Sequence, residues 1–411
     1  MAATDPWFQT LFAARIGGAN YGKGTEIYKF EKIKRAKRQA LADFPDRQLL
    51  DFGIGENDDM APANVRDQLK LEVDRVENRG YADNGIAAYK EAAAAFLKQR
   101  FDVTIDPVTE VCHAIGSKPA YAMLPACFID PGDVTLMTVP GYPVAGTYTK
   151  YYGGEVHRLP LLAANGFFPD LDGIPDDVKR RAKLLALNYP NSPTGAVATV
   201  EFYKRVVEFA HKHSIIVVQD AAHILLSYQG EPLSFLQIDG AKNVGVEVHS
   251  MSKGFNMIGW RMGFVAGHAK IVQAYADVKD NSDSGQFMAI QHAAAAALLD
   301  PSIPLAIRTK YERRLHKLVV ALQAVGFTCG MPGGTYFLYA QSPKSAGDRT
   351  FANAEEASQF LIREQSVCCV PWDDAGAYLR FSVTYIAANE AEEDALMAET
   401  VRRLRGTTLK F

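Results

Sequence analysis

Between residues 111 and 267 the chain alternates short apolar runs with amphipathic segments: VCHAI, DVTLMT, EVHRLPL, KLLALN, SIIVVQD, VGVEVHS and RMGFVAG. Short runs that are apolar throughout predict strands covered on both faces, and therefore a mostly parallel sheet with helices on either side. One segment between them, VEFYKRVVEFAHKH, sets Phe202, Val206, Val207 and Phe209 on one side and charges opposite, which predicts a helix. After about residue 300 the pattern changes to a long amphipathic helix, PLAIRTKYERRLHKLVVALQAVG, followed by the strand-like runs TYFLYA, SVCCVPW and YLRFSVT. That is an α+β layer. The first fifty residues hold Gly17, Gly18, Gly22 and Gly24 and then a charged helix around FEKIKRAKRQALADF. The expected fold is α/β, divided into an arm with part of a small domain (1–50), a large α/β domain (51–300) and a small α+β domain (301–411).

Length and charge narrow the function classes. At 411 residues the chain exceeds what one core holds, so a sizeable buried site is expected. A net charge of −3, with no dense Lys/Arg stripe, argues against nucleic acid or an anionic membrane as partner. No run of about 18 apolar residues occurs, and MAATDPWFQTLFAARIGG lacks a basic stretch followed by an apolar one. A cytoplasmic protein with small-molecule ligands is expected. The five cysteines, Cys112, Cys127, Cys329, Cys368 and Cys369, lack CxxC or His-paired spacing, so neither a disulfide framework nor a metal site is expected.

In an open α/β sheet, ligands bind beyond the carboxyl ends of the strands, so the residues after each run carry the chemistry. Asp220 follows SIIVVQ, and Ser252 and Lys253 follow VGVEVHS. KLLALNYP leads into NSPTG, where Asn191, Pro193 and Gly195 make a tight turn. VCHAI leads into GSKPAYAML, where Gly116, Ser117 and Lys118 open a helix whose free N–H groups suit a phosphate. In SMSKGFNMIGWRMGF, Lys253 stands among small and apolar residues, poorly placed for a solvated surface charge, so either it snorkels or its amine is used as a nucleophile. A lysine that forms a Schiff base with an aldehyde cofactor also needs phosphate donors and a carboxylate that keeps a pyridine nitrogen protonated. Lys253, Ser250, Ser252, Arg261, the Gly116 helix start and Asp220 meet those needs together, which is the pattern of pyridoxal phosphate in a fold-type-I enzyme.

NYPNSPTG, QDAAH and SMSKGFNMIGWRMGF, in that order, resemble the class I/II pyridoxal-phosphate aminotransferases from about Tyr28 to about Leu404. Within that family YKFEKIKRA, FGIGENDDMAP, NGFFPDLDGIP and GSK are most similar to the LL-diaminopimelate aminotransferases. The resemblance implies that Lys253 binds the cofactor and moves the substrate's α-proton, that Asp220 pairs with the pyridine nitrogen, and that Asn191 donates to the ring oxygen. It implies a stacking role for Tyr142 and phosphate donors in Ser117, Lys118, Ser250, Ser252 and Arg261. It further implies that Tyr81 comes from the neighbouring subunit of a homodimer whose sites are shared. Arg380 matches the residue that grips the substrate α-carboxylate, and Tyr28, Gly55, Asn191 and Lys118 match the substrate end.

Two departures stand out. His223 occupies a position where the family usually has tyrosine, and an imidazole there brings a charge state that varies near neutral pH. A substrate-contacting asparagine of the family aligns near Ser284. The run Glu56, Asn57, Asp58, Asp59 reads either as a solvated loop or as a site for a distal ammonium. The implied reaction exchanges an amino group between LL-diaminopimelate and 2-oxoglutarate, with amino-acid and 2-oxo-acid substrates, in lysine and peptidoglycan-precursor synthesis. The alternatives are an aspartate, alanine or aromatic aminotransferase, or a carbon-sulfur lyase. A ligand-sensing regulator is disfavoured, because the short N-terminus offers no basic helix-turn-helix.

Overall fold

All seven apolar runs form one sheet in the computed structural model, which describes residues 6–23 and 29–411. Its strands are β1 (Val111–Ala114), β2 (Val134–Val139), β3 (Glu155–Pro160), β4 (Ala182–Asn188), β5 (Ile216–Asp220), β6 (Gly245–Ser250) and β7 (Gly263–Gly267), in the spatial order β1-β7-β6-β5-β4-β2-β3. Pairing is parallel from β3 through β6, while β7 runs antiparallel to both β6 and β1. The central strands are covered on both faces: Leu184, Leu185, Ala186 and Leu187 of β4 are all buried. This two-sided burial is the reason these runs lack polar alternation.

Helices cover the sheet where the periodicity places them. Val200–His213 buries Phe202, Tyr203, Val206, Phe209 and Ala210, and Thr199 caps it by accepting from Phe202 N. Parallel order and short strand-to-helix turns bring the carboxyl ends of β4, β5 and β6 to one edge of the sheet. There Asp220 and Ser250 are the last residues of their strands.

Beyond the long helix Ser302–Gln323, a three-stranded antiparallel sheet forms from Phe337–Gln341, Val370–Trp372 and Tyr378–Ser382. SVCCVPW, read as one run, breaks into two short strands, of which Val367–Cys368 pairs with Leu50–Asp51. The chain therefore returns its first strand to its C-terminal part, and Phe52 N and O both bond residues there (Cys368 O and Ser382 N). Among the described residues no helix is long and apolar enough to cross a membrane.

One buried ionic group anchors the loop after Leu50–Asp51. Arg314, 1 % exposed, donates to Asp58 Oδ2 (3.0 Å), Glu393 Oε1 (2.7 Å) and the Val383 and Tyr385 carbonyls. Burial alone raises the Glu393 carboxyl pKa, but hydrogen bonds from Arg313, Arg314 and Lys317 outweigh it and hold the pKa at about 2. A depressed carboxylate stabilises the fold above its ordinary pKa and loses that contribution as pH falls through the folded value. The Glu393 contribution is therefore complete above pH 4.5 and lost toward pH 2. Replacing Arg314 by methionine leaves two buried carboxylates without their shared cation, and we expect a loss of about 3 kcal/mol in denaturant unfolding at pH 7. A variant as stable as the parent at that pH would assign the group no anchoring role.

Candidate active site

Local sequence places each reactive side chain. β6 ends at Ser250, whose Oγ accepts from Ser252 N at 3.1 Å and starts the single helical turn Met251–Gly254. Lys253 lies on that turn, half-buried, and its Nζ donates to Gly55 O at 2.7 Å. The same carbonyl accepts from Tyr336 Oη at 2.7 Å, and the Tyr336 ring centroid is 5.3 Å from the amine. Asn57 Nδ2 donates to Lys253 O at 2.7 Å and to Asn256 Oδ1, fastening the Gly55 loop to the lysine turn.

Burial sets the electrostatics. It lowers the Lys253 amine to about 8, helped by Arg380 and Arg261 and opposed by Glu56 and Asp220. It raises Asp220 to about 6, against the hydrogen bond from Ala222 N (2.9 Å) and the nearby His249 and Lys253. Both displacements come first from burial, of the kind found where ionisable groups are gathered in a functional site. His223 is buried and pushed down to about 3 by that burial, with Lys253 and Arg380 adding to the effect. The imidazole is therefore neutral at physiological pH, which corrects the expectation of a charge state that varies there. Its Nδ1 has no hydrogen-bond partner among the described residues, and its ring stands edge-on to Tyr336 with centroids 5.3 Å apart.

Arg380 is held in the middle strand of the C-terminal sheet, opposite Tyr339 and Val370. It is 6 % exposed, its guanidinium lies over the Phe337 ring at 4.0 Å, and Nη2 reaches only Gly53 O at 3.4 Å. Nε is unpartnered, and no described carboxylate forms an ion pair with it. Burial lowers its pKa to about 10, in part offset by Tyr336 and Cys368. A desolvated guanidinium without a counter-charge has a bidentate fork ready for an incoming carboxylate.

A second receptive group forms at the helix Ser117–Phe128. Gly116, with φ +75°, precedes it, and a Cβ at that position would meet Arg261 Nη2 at 2.2 Å. Glycine there lets the guanidinium lie against the helix start. Arg261 Nη1 also donates to Ile258 O (2.9 Å) and contacts Ser252 Oγ (3.5 Å), and it pairs with no described acid. Backbone N–H groups at a helix start, a guanidinium and the Ser250 and Ser252 hydroxyls make a donor set for a dianionic phosphate. These residues fit the phosphate of the cofactor that the sequence implies.

Most of the expected residues meet at this edge. Asn188 Nδ2 donates to Asp220 O, and the Asn191 amide donates to Pro140 O at 3.4 Å, which aligns the Tyr142 segment with the NSPTG turn. Ser117 is half-buried, whereas the Lys118 side chain is exposed. Tyr81, 82 % exposed, and Ser284, also exposed, lie on adjoining loops joined by Ala82 N to Ser284 O. No hydrogen bond links either to the Lys253 group. Tyr28 lies outside the described residues. In the acidic run the Asp58 side chain is buried against cations, while Asp59 is exposed and pairs with one lysine. Asp58 pairs with Arg314 and Lys310 and accepts from Tyr311 Oη, and Asp59 pairs with Lys310. Sequence reasoning missed Tyr336, and it named Asn57 only as part of the acidic run, without its bond to the lysine turn. TYFLYA was read only as a strand, and its one signal was an aromatic directly after Gly333-Gly334-Thr335.

Comparisons with known proteins identify the family. The family model for aminotransferase class I and II matches residues 47–401. The LL-diaminopimelate aminotransferase of Methanocaldococcus jannaschii is 54 % identical over 416 residues, covering 99 % of this chain and all of that protein. That of Moorella thermoacetica is 38 % identical over 384 residues, covering 92 % of this chain and 96 % of that one. Among solved structures, substrate-bound BacF from Bacillus subtilis superposes with a TM-score of 0.86 at 30 % identity, covering 98 % of each chain.

Proposed function

The chain belongs to the class I and II aminotransferases, and from that premise we propose that it transfers an amino group from glutamate to tetrahydrodipicolinate, giving LL-diaminopimelate and 2-oxoglutarate, and catalyses the reverse. The observation that carries the chemistry is a lysine amine lowered to about 8, with Asp220 and an unpaired, buried Arg380 acting on it electrostatically. High identity over nearly full length to relatives that bear the name of this reaction supports the substrate. The direct assay is formation of glutamate from 2-oxoglutarate on addition of LL-diaminopimelate. Absence of glutamate, with formation on addition of aspartate or phenylalanine, would overturn the substrate.

The family depends in general on pyridoxal 5′-phosphate, and we infer that this chain holds it through Lys253, Asp220, Asn191 and His223, with Tyr142 against its face. Ser117, Lys118, Ser250, Ser252 and Arg261 take the phosphate. When bound, the cofactor supplies an electron sink for the electrons freed at the substrate α-carbon. The protein does the rest. Arg380 binds the α-carboxylate, orienting the α-hydrogen toward Lys253 Nζ, which takes the proton and later returns it. General acid-base transfer of this kind is worth about 10²- to 10⁴-fold. Asp220, ionised above pH 6, holds a proton on the ring nitrogen by a charge-assisted hydrogen bond. Neutral His223 offers the ring oxygen a donor without adding charge.

We read the exposed Tyr81 and Ser284 as facing the neighbouring subunit's site in a homodimer. Residues 51–300 are proposed as the cofactor-binding domain, with 301–411 and part of 1–50 as the smaller one. A biosynthetic enzyme of this kind is placed in the cytoplasm.

The lowered lysine predicts a pH dependence. Only the neutral amine attacks an aldehyde, so covalent capture of pyridoxal phosphate by the cofactor-free protein should rise with pH and reach half its maximum near pH 8. An ordinary lysine would do so above pH 10. Stopped-flow absorbance reads the rate, and a rate still climbing tenfold per unit above pH 9 would contradict the assignment.

A further inference from the structure

Neither cofactor binding nor substrate binding uses Tyr336, yet its hydroxyl bonds the same atom as the Lys253 amine. Gly55 O accepts from Lys253 Nζ and from Tyr336 Oη, each at 2.7 Å. A carbonyl oxygen has two lone pairs, so both are taken. The Tyr336 ring is buried, with its centroid 5.3 Å from the amine. That burial pushes the hydroxyl pKa up, so Tyr336 stays a donor throughout the neutral range.

The backbone is bent to put the side chain there. Thr335 has φ +68°, a left-handed conformation that a β-branched residue rarely adopts. Its N–H donates to Leu226 O at 2.8 Å, and its Oγ1 accepts from Phe337 N at 3.0 Å. Neighbouring side chains in a regular strand point to opposite faces. Here Tyr336 and Phe337 both pack on His223, with ring centroids 5.3 and 5.8 Å away, and Phe337 also lies under the Arg380 guanidinium at 4.0 Å. Strain held in place by its surroundings is found where side chains must be aimed.

The shared carbonyl has a chemical consequence. A carbonyl that already accepts one hydrogen bond is a poorer acceptor for a second, and a charged donor loses more because its bond is about twice as strong. Tyr336 therefore disfavours the ammonium form of Lys253 relative to the neutral amine, the form that attacks an aldehyde. Condensation with an aldehyde removes both amine hydrogens as water, and with them the bond to Gly55 O. Tyr336 then keeps that carbonyl in place for the amine's return.

We propose that Tyr336 is a positioning residue for Lys253, docking the free amine through Gly55 O and keeping it in its neutral, reactive form; this rests on Lys253 being the residue that holds the cofactor. The charged groups acting on the amine are Glu56, Arg380, Arg261 and Asp220, and among the described residues none of these side chains hydrogen-bonds to Gly55 O. The test follows covalent capture of pyridoxal phosphate by the cofactor-free protein against pH, for the parent, Tyr336→Phe and Tyr311→Phe. Tyr336→Phe keeps the ring and its packing. Tyr311 is the comparison, since its Oη donates to Asp58 Oδ1 at 3.0 Å and its ring packs on Tyr336 with centroids 5.4 Å apart. Tyr336→Phe should raise the pH of half-maximal capture by about half a unit to one unit, slowing capture about three- to tenfold at pH 7, and Tyr311→Phe should leave that pH in place. A midpoint that Tyr336→Phe does not move, or that Tyr311→Phe raises equally, would overturn the role of Tyr336 and leave Lys253 as the cofactor's anchor. A parent protein that gains no cofactor mass after borohydride reduction would instead overturn the reading of Lys253 itself.

Discussion

Replacing Lys253 by alanine is expected to lower turnover by about four orders of magnitude while leaving the fold intact. Two contributions vanish together: the covalent hold on the cofactor and the base that moves the α-proton. The fold should survive because the lysine amine makes one hydrogen bond, to Gly55 O, and Tyr336 Oη still donates to that carbonyl at 2.7 Å. Mass spectrometry after borohydride reduction separates this from misfolding. The parent gains the mass of the cofactor and the variant does not, while both unfold at the same denaturant concentration. A variant that keeps even a tenth of the parent's turnover would remove Lys253 from the chemistry.

For Arg380 the expected result has two opposite signs. Arg380→Met should lower kcat/KM by two to three orders of magnitude, because the carboxylate loses a desolvated, bidentate partner worth about 3–4 kcal/mol. The same change should raise the melting temperature of the cofactor-free protein by about 1–3 °C, because a buried cation without a counter-charge costs stability. The cost is visible in the structure: burial lowers the guanidinium pKa to about 10, Nε is unpartnered, and the best contact is 3.4 Å. A variant that is destabilised and keeps its kcat/KM would make Arg380 a structural residue.

Local pattern made the sheet legible. The central strands are short, mostly apolar runs, and the residues at and after their ends were the place to look for chemistry; Asp220, Ser252 and Lys253 lie there. The reversed direction of β7 was not legible, since an apolar run reads the same parallel or antiparallel. Contacts between distant segments were also hidden. Asn57 meets Lys253 across 196 residues and Tyr336 meets Gly55 across 281, distances over which periodicity carries no information. The acidic run shows the same limit. A carboxylate in sequence does not reveal its partner, and only the approach of Lys310 and Arg314 distinguishes Asp58 and Asp59 from Glu56. The burial that pushes the His223 pKa down is a property of the assembled site and is not legible in QDAAH.

The proposed function is the transfer of an amino group between LL-diaminopimelate and 2-oxoglutarate on a cofactor held by Lys253. The most direct test is the absorbance spectrum of the purified enzyme with LL-diaminopimelate, its meso isomer, glutamate, aspartate or phenylalanine added separately, without an acceptor. LL-diaminopimelate and glutamate are expected to convert the lysine-bound cofactor band to that of its amine form, and the meso isomer is not. Conversion by aspartate or phenylalanine and not by LL-diaminopimelate, or a protein with no cofactor band at all, would contradict it.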